Sequence, residues 1–297
     1  MKKTETSWLR LVAILAAAVL VFAACGDDGG NGENGPGGAN GDEPAYELVE
    51  EGALTVGSDY PYPPFEFEEG GELTGFDVEV VRAVADELGL ENTDDHWQSV
   101  SFDTIFQQLR TGTKFDIVVA AVTAYAPPGS AAEEVVNERR ELVDFTKSYY
   151  PSLQSLTVDT EENPDIASVD DVPEGARVGV QRATTGAFYA EENFGDSWEL
   201  VGFAQAPPIY QQLQAGQLDA VFNDLPVSLD AIKDTPELQV VEQVETGEEY
   251  AMAVNKDNPE LLQAINDALD TIYENGTYAE IFKKYFPEQE LPDFASE

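Results

Sequence analysis

From Tyr46 onward, short apolar segments alternate with longer segments in which apolar residues recur at helical spacing. Leu54–Ser58 predicts a strand, and Phe76–Leu88 predicts a helix with one apolar face. Phe115–Val122 is apolar almost throughout, as expected of a strand that is buried on both faces of a parallel sheet. Before that strand, a second helical face is marked by Phe102, Ile105, Phe106 and Leu109. The order strand, helix, strand predicts βαβ units and an α/β fold.

A weak internal repeat divides the pattern into two similar halves. Residues 105–118 (IFQQLRTGTKFDIV) and 209–221 (IYQQLQAGQLDAV) share Gln-Gln-Leu-x-x-Gly followed by an apolar-Asp-apolar segment. In each, the Gly ends a helix that leads into a core strand. We interpret the halves as two lobes, the second from about Pro151 to Gly247; a coincidence between two common turns is the alternative. The strands predicted for the second lobe are Ala176–Val180 and Leu218–Phe222.

The C-terminal segment predicts two further helices. Asp257 or Asn258 can cap the first, and Pro259 suits its first turn. Gly276 ends that helix, and Thr277–Phe286 begins the next.

The N-terminus has the pattern of a secretory signal. Lys2, Lys3 and Arg10 precede the apolar run Leu11–Ala24, whose 14 residues are too few to span a bilayer comfortably. The run stops at Cys25, the only cysteine. This arrangement resembles a bacterial lipoprotein signal, which implies that Cys25 is lipidated and becomes the mature N-terminus. The alternative is an ordinary signal peptide with an incidental cysteine.

A glycine-rich segment follows the signal. Gly26–Pro44 contains eight glycines among 19 residues and has almost no apolar side chain to bury. Such a composition predicts a flexible tether that spans roughly 25 Å.

The charge balance is strongly acidic. The chain has 297 residues, with 58 acidic and 15 basic side chains and a formal net charge of −43. Nucleic acid is excluded as a partner, because binding a phosphate backbone requires clustered Lys and Arg. Since 42% of the residues are apolar, the chain is nevertheless a folded protein. We interpret the acidity as a solvated surface suited to brine, where salt screens the self-repulsion.

The single cysteine and single histidine exclude several chemistries. An intrachain disulfide is impossible, and a zinc site of the usual Cys/His type lacks ligands. A Ser-His-Asp triad would need His96, which lies in a polar stretch with no nucleophile motif.

The ends of the predicted strands carry the candidate chemistry. Ligands bind beyond the carboxyl ends of strands in open parallel sheets. Those ends carry aromatic side chains, hydroxyl side chains and isolated charged side chains. They contain no general acid/base pair and no cluster of metal ligands, so they predict a binding cleft without cofactor or metal. The segments are Asp59–Phe65, Ala120–Thr123, Gln181–Thr185 and Asn223–Asp224.

Five stretches together carry a family pattern. The first is Val56–Leu90, in which the run Gly75-Phe76-Asp77-Val78-Glu79-Val80 fits the signature of the family named below. The other stretches are Glu138–Tyr150 (ERRELVDFTKSYY), Val178–Gly186 (VGVQRATTG), Gln217–Asp224 (QLDAVFND) and Glu274–Phe286 (ENGTYAEIFKKYF). In this order they resemble the family 3 extracellular solute-binding proteins, the polar-amino-acid receptors of bacterial ABC importers. The resemblance covers nearly all of residues 46–290.

The resemblance implies a two-lobe α/β flytrap, the periplasmic-binding-protein fold, with two mixed or parallel sheets flanked by helices and two hinge strands. The chain would return to the first lobe near Glu248–Val254. The implied function is non-enzymatic: the protein captures a polar amino acid, glutamine-like or basic, and delivers it to ABC permease subunits. We expect an exported monomer, lipid-anchored to the outer face of the cytoplasmic membrane. The predicted domains are a signal peptide 1–24, a tether 25–44, lobe 1 (45–150 and 248–297) and lobe 2 (151–247).

The resemblance also implies roles for the two central charges. Arg139 matches the arginine that clamps the ligand α-carboxylate, with Arg140 as a possible substitute. Asp224 matches the carboxylate that receives the α-ammonium. The alternatives are a helix-surface arginine and a strand-end cap.

Thr123 and Thr185 match contacts to the α-carboxylate of the ligand. Tyr62 and Phe102 match aromatic walls of the pocket, with plain core residues as the alternative. Asp59 matches the acidic residue at the end of the ligand side chain. The full set predicted to bind the ligand is Asp59, Tyr62, Phe65, Phe102, Ala120, Ala121, Thr123, Arg139, Gln181, Thr184, Thr185 and Asp224.

Two departures from the family pattern affect the ligand. Ala120-Ala121 stand where receptors for basic amino acids often carry Ser-Ser, which favours a glutamine-like or less polar ligand. Ala124–Val135 is an apparent insertion that is either a surface excursion or a change at the pocket rim.

Three other functions remain open at this stage. A compatible solute such as ectoine would also offer a carboxylate to Arg139. Some dehydratases share the implied fold and would use a Glu or Asp in the cleft as the acid. A sensor domain would need a C-terminal membrane helix or signalling domain, and we read neither in the sequence up to Glu297.

Overall fold

The structure, a computed structural model, describes residues 46–295. The predicted signal peptide, Cys25 and the tether lie outside these residues. Within the described range the strands are β1 (Val56–Ser58), β2 (Phe67–Glu69), β3 (Glu72–Thr74), β4 (Trp97–Ser99), β5 (Ile117–Val118), β6 (Thr123–Tyr125), β7 (Asp144–Phe145), β8 (Tyr150–Asp159), β9 (Arg177–Gln181), β10 (Glu199–Phe203), β11 (Ala220–Asp224), β12 (Leu238–Tyr250) and β13 (Ala253–Val254).

The helices confirm most of the periodicity. The helix predicted over Phe76–Leu88 has those same bounds, and both C-terminal helices are present. The helices of the described chain are α1 (Phe76–Leu88), α2 (Ile105–Arg110), α3 (Ala131–Leu142), α4 (Thr185–Phe194), α5 (Pro207–Gln214), α6 (Leu225–Ile232), α7 (Pro259–Glu274) and α8 (Thr277–Tyr285).

The strands form two mixed sheets and a small hairpin. The five-stranded sheet has the order β4-β1-β5-β13-β7, and the six-stranded sheet has the order β10-β9-β11-β8-β12-β6. In the first, β1 runs parallel to β4 and β5; in the second, β9 runs parallel to β10 and β11. The βαβ order read from the sequence therefore builds both sheets, which confirms the predicted α/β class.

Two long strands connect the sheets. β8 leaves the five-stranded side after β7, and β12 returns to it immediately before β13. β8 and β12 pair with each other in antiparallel fashion. The six-stranded sheet also includes β6, from the range predicted for lobe 1, so the domain boundaries as given stay a prediction.

The start of α1 requires a glycine. Gly75 precedes the helix with φ 131°, and a Cβ there would come within 2.1 Å of the Phe65 carbonyl oxygen. A larger residue would be strained in φ and would collide with backbone. The close approach of Gly75 to this backbone sets α1 against the loop that follows β1, where several predicted site residues lie.

The strand predicted over Phe115–Val122 is much shorter in the structure. Only Ile117–Val118 pairs as β5, although the flanking residues are buried. The chain turns at Ala121, which adopts φ 47° and donates its N–H to Asp77 Oδ2 at 2.9 Å. Burial was predicted correctly, but the length was wrong because the turn is imposed by a distant carboxylate.

No helix in the described part of the chain is both long and apolar enough to cross a membrane.

Candidate ligand-binding site

A cavity lies where the carboxyl ends of β1, β4 and β5 face those of β9 and β11. The structure brings together all of the predicted residues except Phe65, and it adds Glu66. The lining residues are Asp59, Tyr62, Glu66, Phe102, Ala120, Ala121, Thr123, Arg139, Gln181, Thr184, Thr185 and Asp224.

Arg139 is the cation of the cavity. It lies in the last turn of α3 and is only 5% exposed. Its guanidinium donates to the carbonyl oxygens of Thr123 at 2.8 Å and Ala183 at 3.1 Å. Burial lowers the pKa of Arg139 to about 10, against the opposing charges of Glu248 and Asp224, so it is a cation at neutral pH.

Arg140 cannot substitute for it. The Arg140 side chain is exposed, donates to the Ala124 carbonyl oxygen at 2.7 Å and is not part of the lining. Successive residues of a helix point about 100° apart, so one of the pair faces the cavity and the other faces solvent. The guanidinium of Arg139 also lies 5.3 Å from the ring centroids of Phe102 and Phe106.

Asp224 supplies a carboxylate from the six-stranded sheet. It ends β11 and accepts hydrogen bonds from Tyr62 Oη at 2.6 Å and Gln154 Nε2 at 2.6 Å. Burial raises the pKa of Asp224, and the bonds from Tyr62 and Gln154 together with the charge of Arg139 act against that shift. The Tyr62 bond joins the loop after β1 directly to the end of β11, across the cavity.

The predicted carboxylate contacts Thr123 and Thr185 share an internal partner. Both hydroxyls donate to Glu248 Oε2, at 2.8 and 2.6 Å. Glu248 lies near the end of β12, is 1% exposed and acts electrostatically on Arg139. Burial raises the pKa of Glu248, while the two threonine bonds lower it.

Thr184, which lines the cavity, is also the N-cap residue of α4. Its hydroxyl accepts the N–H of Ala187 at 3.1 Å and donates to the Gln181 carbonyl oxygen at 2.8 Å, which caps α4. The capped end of a helix carries partial positive charge and free N–H groups. This end of α4 therefore adds to the positive side of the cavity formed by Arg139.

Comparison with known proteins decides the family. A sequence model of the bacterial extracellular solute-binding proteins, family 3, matches residues 54–288. The chain belongs to this family. The match takes in both sheets, both connecting strands and every lining residue of the cavity.

Several members with assigned ligands are similar over most of their length. A probable histidine-binding protein of Neisseria gonorrhoeae is 28% identical over 94% of this chain and 96% of its own. The L-cystine-binding protein TcyJ of Escherichia coli (strain K12) is 30% identical over 81% of this chain and 85% of its own. The structure of an ancestral arginine-binding protein bound to arginine superposes with a TM-score of 0.69 at 33% identity, covering 79% of this chain and 98% of that one. These similarities confirm the predicted two-lobe fold.

Within this family member, Phe65 belongs to the core and not to the cavity lining. Its side chain is fully buried, and its ring lies 5.2 Å from Tyr150, 5.5 Å from Tyr250 and 5.8 Å from Phe286. Phe65 therefore packs against the connecting strands and α8 while its neighbour Glu66 lines the cavity.

The insertion does not line the cavity either. No residue of Ala124–Val135 is among the lining residues of the described chain. The segment completes β6, forms a loop and begins α3, where Ala126, Ala132 and Val136 make a small apolar cluster. Its contribution to the site is indirect, since the helix that it starts carries Arg139.

Glu66 and Glu248 are the lining or supporting groups that the sequence analysis missed. Glu66 stands alone between two aromatic residues in the run PPFEF, and Glu248 lies in the connecting segment. A single acidic residue within an apolar run is a usable signal of a buried carboxyl.

Proposed function

We propose that this protein captures an amino acid between its lobes and delivers it to the permease subunits of an ABC importer. One observation carries the proposal: a buried cation, Arg139, and a carboxylate, Asp224, line the same cavity. An amino acid presents the opposite pair, an α-carboxylate and an α-ammonium. Charges that leave water upon burial must each meet a partner, and this cavity provides one for each.

The same geometry couples binding to closure. Tyr62 follows β1, whereas Asp224 ends β11 and Ala183 follows β9 in the six-stranded sheet. Hydrogen bonds from Tyr62 to Asp224 and from Arg139 to the Ala183 carbonyl oxygen join the two sides. A ligand that engages Arg139 and Asp224 together is held fully only in the closed form. It therefore shifts the protein towards closure, which a permease can recognise. We propose that the protein acts as a monomer and without catalysis.

A thermal-shift screen in concentrated salt tests the proposed function. It covers the common amino acids, ornithine, citrulline and ectoine. A ligand that binds only the folded state stabilises it, and at a hundredfold excess over Kd we expect the melting temperature to rise by roughly 5–10 °C. A response to ectoine alone would replace the amino acid by a compatible solute. No response to any compound would contradict the proposal.

We also propose that Cys25 is lipidated and that Gly26–Pro44 tethers the folded body to the outer face of the cytoplasmic membrane. The support is the signal-like N-terminus and the position of the only cysteine. Mass spectrometry of the membrane-bound protein tests this proposal, because an unmodified Cys25 peptide would contradict it.

We propose further that the acidic surface is an adaptation to salt. A formal charge of −43 repels itself, and the repulsion weakens as ions screen it. The melting temperature should therefore fall as molar salt is diluted. A melting temperature that is independent of salt would contradict the adaptation and leave the binding proposal intact.

A further inference from the structure

A buried carboxylate lies behind two threonines that line the positive end of the cavity. Glu248, near the end of β12, is 1% exposed. Its Oε2 accepts hydrogen bonds from Thr123 Oγ1 at 2.8 Å and from Thr185 Oγ1 at 2.6 Å. Thr123 begins β6, and Thr185 begins α4. One oxygen atom on a connecting strand therefore holds hydroxyls from two separate elements of the cavity wall.

These contacts use both hydroxyl hydrogens of the pair. A threonine hydroxyl has a single hydrogen to donate. The Oγ1 atoms of Thr123 and Thr185 also lie 3.2 Å apart, and a bond between them would use one of the same two hydrogens. While Glu248 is ionised, neither hydroxyl has a hydrogen left for a third acceptor. Each threonine then presents only lone pairs to the cavity.

The α-carboxylate that we assign to Arg139 needs donors at this same place. Thr123 and Thr185 line the cavity with Arg139, whose guanidinium donates to the Thr123 carbonyl oxygen. Because an ionised carboxylate is an acceptor only, it would meet the lone pairs of the threonines and the negative charge of Glu248. When two carboxylates share a site, the pKa of one is strongly raised and that group holds a proton.

Glu248 is the member of such a pair that holds the proton, because the α-carboxylate has Arg139 as its partner. Within residues 46–295, no carboxylate oxygen lies within 4.0 Å of the Arg139 guanidinium, so Glu248 has no direct ion pair with it. The charged groups that act on Glu248 are Arg139 of α3 and Asp224 at the end of β11. Burial raises the pKa of Glu248, and the charge of Asp224 adds to that effect, against the bonds from the threonines.

We propose that Glu248 is a positioning residue of the carboxylate site, which takes up one proton from solvent when the α-carboxylate of an amino acid enters. The proton binds a carboxyl oxygen of Glu248, and no bond of the amino acid changes. Neutral Glu248 donates this hydrogen to one threonine, so the hydroxyl hydrogen of that threonine turns to the ligand. The inference rests on the proposed function, since it takes Arg139 and Asp224 as the partners of the α-groups.

Calorimetric titration measures the proton uptake. The probes are L-glutamine and L-arginine, whose side chains do not titrate between about pH 6 and about pH 8. Each titration is repeated in buffers of different ionisation enthalpy, because the buffer supplies the proton and adds its own heat. For the wild type we expect uptake that approaches about one proton per ligand towards the upper end of this range, so the affinity should fall by up to about tenfold for each pH unit.

Glu248→Gln removes the proton-binding group and keeps its shape. Glutamine retains an acceptor for the two threonines but carries no charge. Proton uptake should therefore be lower than in the wild type by close to one proton per ligand, and at about pH 8 the variant should bind roughly tenfold more tightly than the wild type. Glu245→Gln, the same change at an exposed residue of β12, should leave proton uptake and affinity as they are.

A merely structural role for Glu248 predicts the opposite result. Loss of packing in Glu248→Gln would lower the melting temperature and weaken binding at every pH, with proton uptake unchanged. If Glu248→Gln does not fold, the proton uptake of the wild type carries the test. Binding by the wild type without proton uptake would overturn the inference and leave the proposed function standing. Failure of both probes to bind would overturn the inference together with the capture of a glutamine-like or basic amino acid.

Discussion

Replacing Arg139 with alanine is expected to weaken binding of the amino-acid ligand roughly a thousandfold, about 4 kcal/mol. The guanidinium is buried beneath Phe102 and is the cation among the lining residues of the described cavity. Without it the α-carboxylate would be buried with no charged partner, which costs about 3–5 kcal/mol. The loss is measured by calorimetric titration with the ligand that the thermal-shift screen ranks highest.

Arg140→Ala is the matched control. It removes the same side chain one position along α3, from an exposed site outside the cavity. Its affinity should remain within a few fold of that of the wild type. Because Arg139 also bonds the carbonyls of Thr123 and Ala183, the melting temperature of Arg139→Ala must be recorded. A folded Arg139→Ala protein with nearly normal affinity would contradict the assignment of the carboxylate site.

Replacing Asp224 with asparagine is expected to weaken binding by roughly two to three orders of magnitude, about 3–4 kcal/mol. Asparagine retains the shape and the acceptor for Tyr62 Oη, so the cross-cavity bond survives. The charge that meets the α-ammonium is lost, and the buried ammonium is left with dipoles alone.

Asp234→Asn supplies the comparison for Asp224. Asp234 is an exposed carboxylate that follows α6 on the same side of the molecule. The Asp234→Asn variant should bind the ligand with the affinity of the wild type. If Asp224→Asn were to bind equally well, the ammonium would have another partner and the pairing proposed for the α-groups would be wrong.

The apolar pattern predicted the scaffold better than it predicted the strand ends. The bounds of α1 follow from helical spacing and from Gly75, so the prediction and the structure agree. The end of β5 depends instead on the bond from Ala121 N–H to Asp77, a residue 44 positions away. Spacing within Phe115–Val122 contains no information about that contact.

The candidate site was accessible mainly through family resemblance. Arg139 and Arg140 are adjacent residues of the same type, and they differ only in the direction in which α3 points their side chains. Phe65 and Tyr62 are likewise equal as aromatic residues, but Phe65 packs against Tyr150 and Tyr250 whereas Tyr62 reaches Asp224.

The many acidic residues of the chain made the buried carboxyls at the cavity hard to recognise from the sequence. Among 58 acidic side chains, Glu66 has only the weak signal of its place between two phenylalanines, and nothing in local composition marks Glu248 as buried. Most of the acidic side chains lie outside the cavity lining, whereas these two carboxyls, with Asp59 and Asp224, set the electrostatics of the cavity. Only the packing of distant segments separates the two groups.

Calorimetric titration of the wild-type protein with its best amino acid, carried out beside the decarboxylated amine of that amino acid, tests the central claim most directly. The two compounds differ only in the α-carboxylate that we assign to Arg139. The account predicts saturable one-to-one binding of the amino acid and an affinity for the amine that is at least about a hundredfold weaker. Equal affinity for the two compounds would contradict capture of an amino acid between Arg139 and Asp224.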